Sequence, residues 1–452
     1  MTATSLEEKI RQAGNPAQML RHSSMGPYPF PYPSEHSNWR DEQEAWKKTA
    51  VLFDQSNHMT DVYFKGPDVK RLLSDTGVNN FTNFGRDKAK QYIAVNYDGY
   101  MIGDAVLFGL EEDEVSVVGL SVCGNWMQFH VEKGGYDVEV IRDEMSLLNR
   151  TGRRTYRYEI AGPNAMKIIE KAHGGPIEHI KFFNMGSFTI AGSTVRALNH
   201  TMADLPGAPM TGLELFGPAQ HGKAVLDALL SAGEEFGLRR GGFLAYASTI
   251  AESGWLGQYV PAIYTGAKMK AYREWLPAES LEGIQSVGGS FVSKNIDDYY
   301  FTPWDLGYGN MPKYDHDFIG RSALEKMANQ PHRRKVWLRW NDEDVARVIA
   351  SSLFGGDRRA KYLAVPWGTY ATMTYDKVLL KDRLVGVSAF TMYTANVRSF
   401  YSLAVVNEDV AEGTEVAIVW GEEDGGTPKP TVERHTQTEI RATVRLRSPV
   451  SR

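Results

Sequence analysis

MTDVYFKGPDVKRLLSDTG, residues 59–77, joins an alternating strand to a helix across a Gly-Pro step. Its first half, MTDVYFKG, alternates apolar and polar side chains, the period of a half-buried strand. In GPDVKRLLSDTG, Pro67 and Asp68 stand where a helix favours a first-turn proline and early negative charge. Gly77 is the expected stop. The unit recurs at IAGPNAMKIIEKAHGG, Ile160–Gly175, so the chain reads as a duplicated α+β architecture rather than a solenoid of many short repeats.

Working outward, RDEQEAWKKTAVLFDQS predicts a short helix entering a strand near Val51–Asp54. Before it, MGPYPFPYPSEHSNW (Met25–Trp39) mixes prolines with aromatics and predicts an ordered non-helical loop. KQYIAVNYDGYMIGDAVLFGL and DEVSVVGLSV predict strands with turns at Asp98-Gly99 and at Glu111–Glu114. From about His332 the chain turns strand-rich: RRKVWLRW, DKVLLKDRLVGVSAF, FYSLAVVN, TEVAIVW and TEIRATVRLR predict a separate antiparallel β domain. The expected division is 1–330, two interleaved α+β domains, and 331–452, the β domain.

The 452 residues allow about three domains at roughly 150 each. At 42% hydrophobic and 23% charged, the chain can bury cores without disulfides or metals. Fifty basic against 55 acidic residues, net charge -5, argue against a nucleic-acid partner. Cys123 is the only cysteine, which excludes an intramolecular disulfide and a Cys-rich metal centre, and no metal is expected. No run of eighteen apolar residues suggests a membrane span, so a soluble cytoplasmic protein, monomer or homodimer, is expected. Phosphate-loop, dinucleotide, paired-histidine and nucleophile-elbow motifs are all missing at their required spacing. Gly241-Gly242 and Gly288-Gly289 read as turns.

Three local patterns carry candidate chemistry. His58, in FDQSNHMTD, sits where a strand-to-strand passage exposes short polar side chains; it is either a structural histidine or an imidazole able to orient an oxygen. Glu214, in TGLELFG, points opposite to Leu213 and Leu215 if the stretch is a strand, and there a carboxylate can take two hydrogen bonds from an amino-pyrimidine edge; a solvated strand face is the plain alternative. FLAYASTIAESGW sets Tyr246 and small residues before Trp255, so that a flat ligand can approach the backbone and stack.

These segments together resemble the aminomethyltransferase family, the glycine-cleavage T-protein fold. DQSNHMTDVYFKGPDVKRLL is similar to its opening signature, TGLELFG to its folate-site stretch, and GYGNMPKYDHDFIGRSALEK, LVGVSAF and GTEVAIVWGEEDGGTPKP to its C-terminal pieces. Within the family, SNWRDEQEAW, LFDQSNHM, KAKQYIAV, KFFNM, AESGW, PAIYTG, KAYREWLPA, GGSFVSKNIDDYY and HDFIGR resemble the tetrahydrofolate-dependent aryl O-demethylases of the vanillate, 3-O-methylgallate and syringate type. The resemblance implies a three-domain cloverleaf with a β-rich third domain. It also implies tetrahydrofolate as co-substrate and a small methoxyaromatic substrate.

It further implies Tyr246, assisted by His58, as the group acting on the ether oxygen, and Glu214, Trp255, Val118 and Phe183 around the pterin. Tyr28, Phe30, Tyr32, Gln55 and Leu120 would enclose the arene. The chain departs from the aminomethyl branch, having Tyr246 where that branch has arginine, and Gly103 then Asp104 in DGYMIGD where that branch has a catalytic aspartate pair. It departs from the vanillate type at Val118-Gly119-Leu120, where an arginine would clamp the substrate carboxylate. The departure favours a dicamba-like ortho-methoxybenzoate over vanillate or syringate; the alternatives are a vanillate or syringate demethylase with a relocated anchor, or a non-catalytic folate-binding protein.

Overall fold

A computed structural model describes residues 3–202 and 210–450. Both Gly-Pro units form strand then helix. The first strand is Thr60–Lys65 and its helix Val69–Thr76; the second strand is Thr155–Ala161 and its helix Ala165–His173. Each helix begins two residues later than the proline predicts, with Asp68 or Asn164 as the flanking residue. Only the second glycine works as a left-handed cap, Gly174 at φ 94°; Gly77 is extended.

The two strands belong to different sheets. One has six strands in the order Leu238–Gly241, Ala50–Asp54, Thr155–Ala161, Gly212–Pro218, Ser193–Leu198 and Met185–Ile190. The other has five: Ala89–Val95, Met101–Glu111, Glu114–Gly119, Thr60–Lys65 and Glu139–Asp143. Alternation assigns their faces. Ile160, Leu213 and Leu215 pack with Ile168, Val225 and Leu229 of the helices Ala165–His173 and Ala219–Gly233. Behind the five-stranded sheet lie Val69–Thr76 and Ser121–Gly134, whose Leu72, Leu73, Trp126 and Met127 join the largest core. The opposite faces meet each other through Phe108, Val118, Met185, Leu198 and Phe216.

The strand-rich C-terminal part closes into a six-stranded barrel, Arg334–Trp340, Ser399–Val406, Arg383–Thr394, Asp376–Leu380, Glu415–Trp420 and Thr438–Arg445, around Trp340, Trp420, Val336 and Ile418. It also carries a helix the strand reading passed over, Asp342–Phe354. Asn341 caps it by accepting from the Asp344 N–H at 3.0 Å. Among the described residues no helix is long and apolar enough to cross a membrane, and no cluster of metal-ligating side chains forms.

Candidate functional site

Between the two sheets and the segment after Gly254 lies a cavity of about 250 Å³. Its walls are Gln55, Asp104, Phe108, Val118, Leu120, Glu159, Phe182, His200, Glu214, Tyr246, Trp255 and Tyr259, closed from the C-terminal side by Thr372 and Met373.

One wall is built by strand pairing. Glu214 stands directly opposite Glu159 on the neighbouring antiparallel strand, and Phe216 opposite Arg157, so all four share the face turned toward the other sheet. Three buried charges would be costly unpaired. Arg157 Nη1 donates to Glu214 Oε1 at 2.9 Å and Nε to Asp61 Oδ1 at 3.1 Å, and the guanidinium packs against both the Phe108 and Phe216 rings, 4.5 and 5.1 Å from their centroids. Burial opposes its charge, but Asp61 and Glu214 overcome that and hold it above the ordinary arginine value. Arg153 is a second cation on Asp61, donating to its other oxygen, Oδ2. Burial raises the Glu214 carboxyl above the ordinary range, against the pull of Arg157.

Tyr246 sits in the first turn of a helix, Phe243–Ser253, that the small-residue pattern did not announce. That helix has no side-chain cap. Its first N–H groups are taken instead by carbonyls of the aromatic loop, Phe243 N to Pro33 O at 3.0 Å and Leu244 N to Ser34 O at 3.2 Å. Gly242 permits this: a Cβ there would come 2.3 Å from the Ser34 oxygen. The glycine pair thus seats a loop against a helix and forms no ligand loop. Phe30 in the loop packs its ring against Tyr28, Tyr32, His58, Phe243 and Tyr246.

Around Tyr246, desolvation first and then Glu159 and Glu214 push the phenol well above its ordinary value, so it remains a proton-bearing donor. The His58 ring lies edge-on to it at 5.0 Å, and burial pushes that imidazole down to about 3. His58 is therefore neutral, and among the described residues its Nδ1 is buried with no partner, as are Tyr32 Oη and Gln55 Oε1. Tyr28 is committed elsewhere, its hydroxyl donating to the His58 carbonyl.

On the facing wall Asp104 gathers four donors from three chain segments: Gln91 Nε2 and Trp255 Nε1 at 2.7 Å, Tyr259 and Tyr308 hydroxyls at 2.9 Å. Burial raises its carboxyl despite them. The arrangement holds the Trp255 indole by its Nε1 edge. Gly254, left-handed at φ 75°, turns the chain there, and the bare Gly257 lets the loop close over the ring.

Of the sequence-derived candidates, Gln55, Val118, Leu120, Glu214, Tyr246 and Trp255 line the one cavity. His58, Tyr28, Phe30 and Tyr32 form the aromatic layer behind Tyr246. Phe183 packs on the sheet-to-sheet contact and against His200, ring centroids 5.0 Å apart, while its neighbour Phe182 is on the cavity wall. Asp61, Arg157 and Glu159 were missed as candidates. Their signal was alternation: T-Y-R-Y-E-I-A puts Arg157 and Glu159 on one face, an unusual demand on a central strand.

The cavity can hold a flat polar heterocycle. Glu214 offers an acceptor face, Phe108, Val118 and Trp255 offer apolar walls, and a donor hydroxyl and orphaned acceptors stand at the Tyr246 end.

Residues 11–258 match the GCVT N-terminal domain. The chain is 45% identical over 445 residues to syringate O-demethylase of Sphingobium sp. strain SYK-6, covering 98% of this chain and 95% of that protein. It is 28% identical to sesamin methylene transferase of Sinomonas sp. strain No.22, covering 91% and 89%. The fold superposes on the crystal structure of the glycine cleavage system aminomethyltransferase T from Bartonella henselae with a TM-score of 0.61 at 15% identity, covering 94% of this chain and 93% of that one.

Proposed function

This chain belongs to the glycine-cleavage T-protein (GCVT) family, and on that premise we propose that its cavity is a methyl-transfer chamber shared by a folate and a methoxyarene. The protein is a methyltransferase of the tetrahydrofolate-dependent aryl O-demethylase type, with tetrahydrofolate as co-substrate. One observation carries the reading: the acceptor carboxylate of Glu214 and the donor hydroxyl of Tyr246 line the same small, apolar-walled cavity. We take 1–330 as the folate- and substrate-binding part and 331–452 as the barrel domain.

Glu214 holds the pterin's amino-pyrimidine edge, with Val118 and Trp255 against its faces and Phe183 behind. Bound tetrahydrofolate supplies N5 as methyl acceptor, so that N5–H and O–CH3 become N5–CH3 and phenol O–H. Tyr246 donates a hydrogen bond to the ether oxygen as its bond to carbon breaks, which lowers the basicity of the departing phenolate. His58, neutral and buried, does not supply the proton; with Tyr28, Phe30 and Tyr32 it shapes the arene's side and excludes water. Holding the two reactants in line is the larger contribution, since effective molarities reach about 10⁵–10⁸ M.

The substrate is a methoxylated aromatic. Leu120 stands where a carboxylate-pairing arginine would, and among the described lining residues there is no lysine or arginine. A preference for a dicamba-like ortho-methoxybenzoate rests on that substitution alone, and the relative 45% identical is named for syringate. Syringate-type rings therefore stand beside ortho-methoxybenzoates as candidates. The test is anaerobic incubation with tetrahydrofolate and a panel of both ring types, reading 5-methyltetrahydrofolate, with wild type and Leu120→Arg side by side. The variant is expected to gain about tenfold or more on para-carboxylated rings through a bidentate pair. No gain on any acid removes the argument from Leu120.

A further inference from the structure

Glu159 has no role in the reading above, yet it is 1% exposed, lines the cavity and faces Glu214 across a strand pair. One oxygen, Oε1, accepts from the Met202 backbone N–H at 2.8 Å; the other, Oε2, accepts from Gln55 Nε2. The second bond settles how the Gln55 amide lies. A carboxylate only accepts, so the NH₂ group must face Glu159, and the flipped amide would set two oxygens against each other. The same nitrogen reaches the Tyr246 hydroxyl oxygen at 3.4 Å, while Gln55 Oε1 is buried with no partner among the described residues. Tyr246 therefore receives a hydrogen bond from Gln55, and its own hydrogen must point away from Gln55.

We propose that Glu159 is a positioning residue: by locking the Gln55 amide it turns the Tyr246 O–H hydrogen into the chamber, toward the oxygen that must leave. The inference rests on the O-demethylase reading of that chamber. Without the lock, Gln55 could rotate, present its oxygen and take the Tyr246 hydrogen for itself, leaving the phenolate unassisted.

The decisive variant is Glu159→Gln, equal in size but both donor and acceptor, so that either amide orientation becomes possible at Gln55. We expect kcat to fall about 10- to 100-fold, inside the range of a lost general acid, while KM for tetrahydrofolate stays within about twofold. The loss should shrink for methoxyarenes bearing electron-withdrawing nitro groups, whose phenolates leave without help. In a Gln55→Leu background the same substitution should cost nothing further. Separately, carbon-13 labelling at the tyrosine ring carbon bearing the hydroxyl, with the Tyr246 signal assigned by Tyr246→Phe, reports that hydroxyl's hydrogen bonding whether or not any arene reacts. The signal should move in Glu159→Gln and in Gln55→Leu.

An unmoved signal overturns the proposal. So does a rate loss equal for all leaving groups and accompanied by a lower unfolding temperature, which would make Glu159 structural only. A signal that moves while wild type demethylates nothing in the panel supports the grip on Tyr246 and overturns the reading of the chamber.

Discussion

Tyr246 carries the sharpest consequence at the scale of one side chain. Removing its hydroxyl in Tyr246→Phe should lower kcat by about 10²–10⁴-fold, the usual worth of a positioned acid, with tetrahydrofolate affinity nearly unchanged by calorimetry. Equal losses in both would deny it the donor role. Glu214 gives a pH dependence. Its carboxyl is raised above the ordinary range by burial, and the pterin's N–H donors prefer it ionised. Tetrahydrofolate affinity should therefore decline on acidification sooner, that is at higher pH, than an ordinary carboxylate would allow. A Kd series by anaerobic calorimetry, with Glu214→Gln as the pH-independent control, checks the sign. His58 contributes no inflection near its usual value, because the folded protein keeps it neutral down to about 3.

At the scale of strands and helices, the exposed question is the charge layer in the sheet interior. Arg157→Met leaves Glu214 without its cation and Asp61 with Arg153 alone, and should cost about 3–5 kcal/mol in urea unfolding, the penalty for breaking a buried pair. Replacing all three by apolar residues should recover much of it. This layer also shows what sequence patterns reveal. Alternation in TGLELFG assigned Glu214 the face opposite Leu213 and Leu215, and the strand obeys it because those leucines have two helices to pack on. Alternation could not say that Arg157 would meet Asp61, since the two lie in different sheets. The helix Phe243–Ser253 was illegible for a related reason: its start depends on carbonyls of Pro33 and Ser34, over two hundred residues earlier, and no local cap marks it. Asp342–Phe354, by contrast, carried its own signal in Asn341 and was overlooked among strong strands. The strand-rich tail announced a β unit through five runs, but closure into a barrel is a long-range property that no single run encodes.

Across the whole molecule, the barrel braces the chamber. Trp337, on the barrel strand Arg334–Trp340, donates its indole N–H to Ala251 O at 2.8 Å and lies against Gly254, where an added Cβ would fall 2.1 Å from the ring. Gly254→Ala combines a left-handed backbone penalty with overpacking, together about 2–4 kcal/mol. Because Trp255 follows directly, folate affinity should drop along with the unfolding temperature; stability loss with unaltered affinity would show that the seam and the site are independent. Thr372 and Met373 extend the same dependence, closing the cavity from beyond the midpoint of the chain. For protein engineers the lesson concerns where genes of this family can be spliced. A crossover near residue 330 looks neutral on a domain map, yet a hybrid made there inherits its floor and its buttress from the second parent, so substrate range should follow both donors rather than the N-terminal one alone.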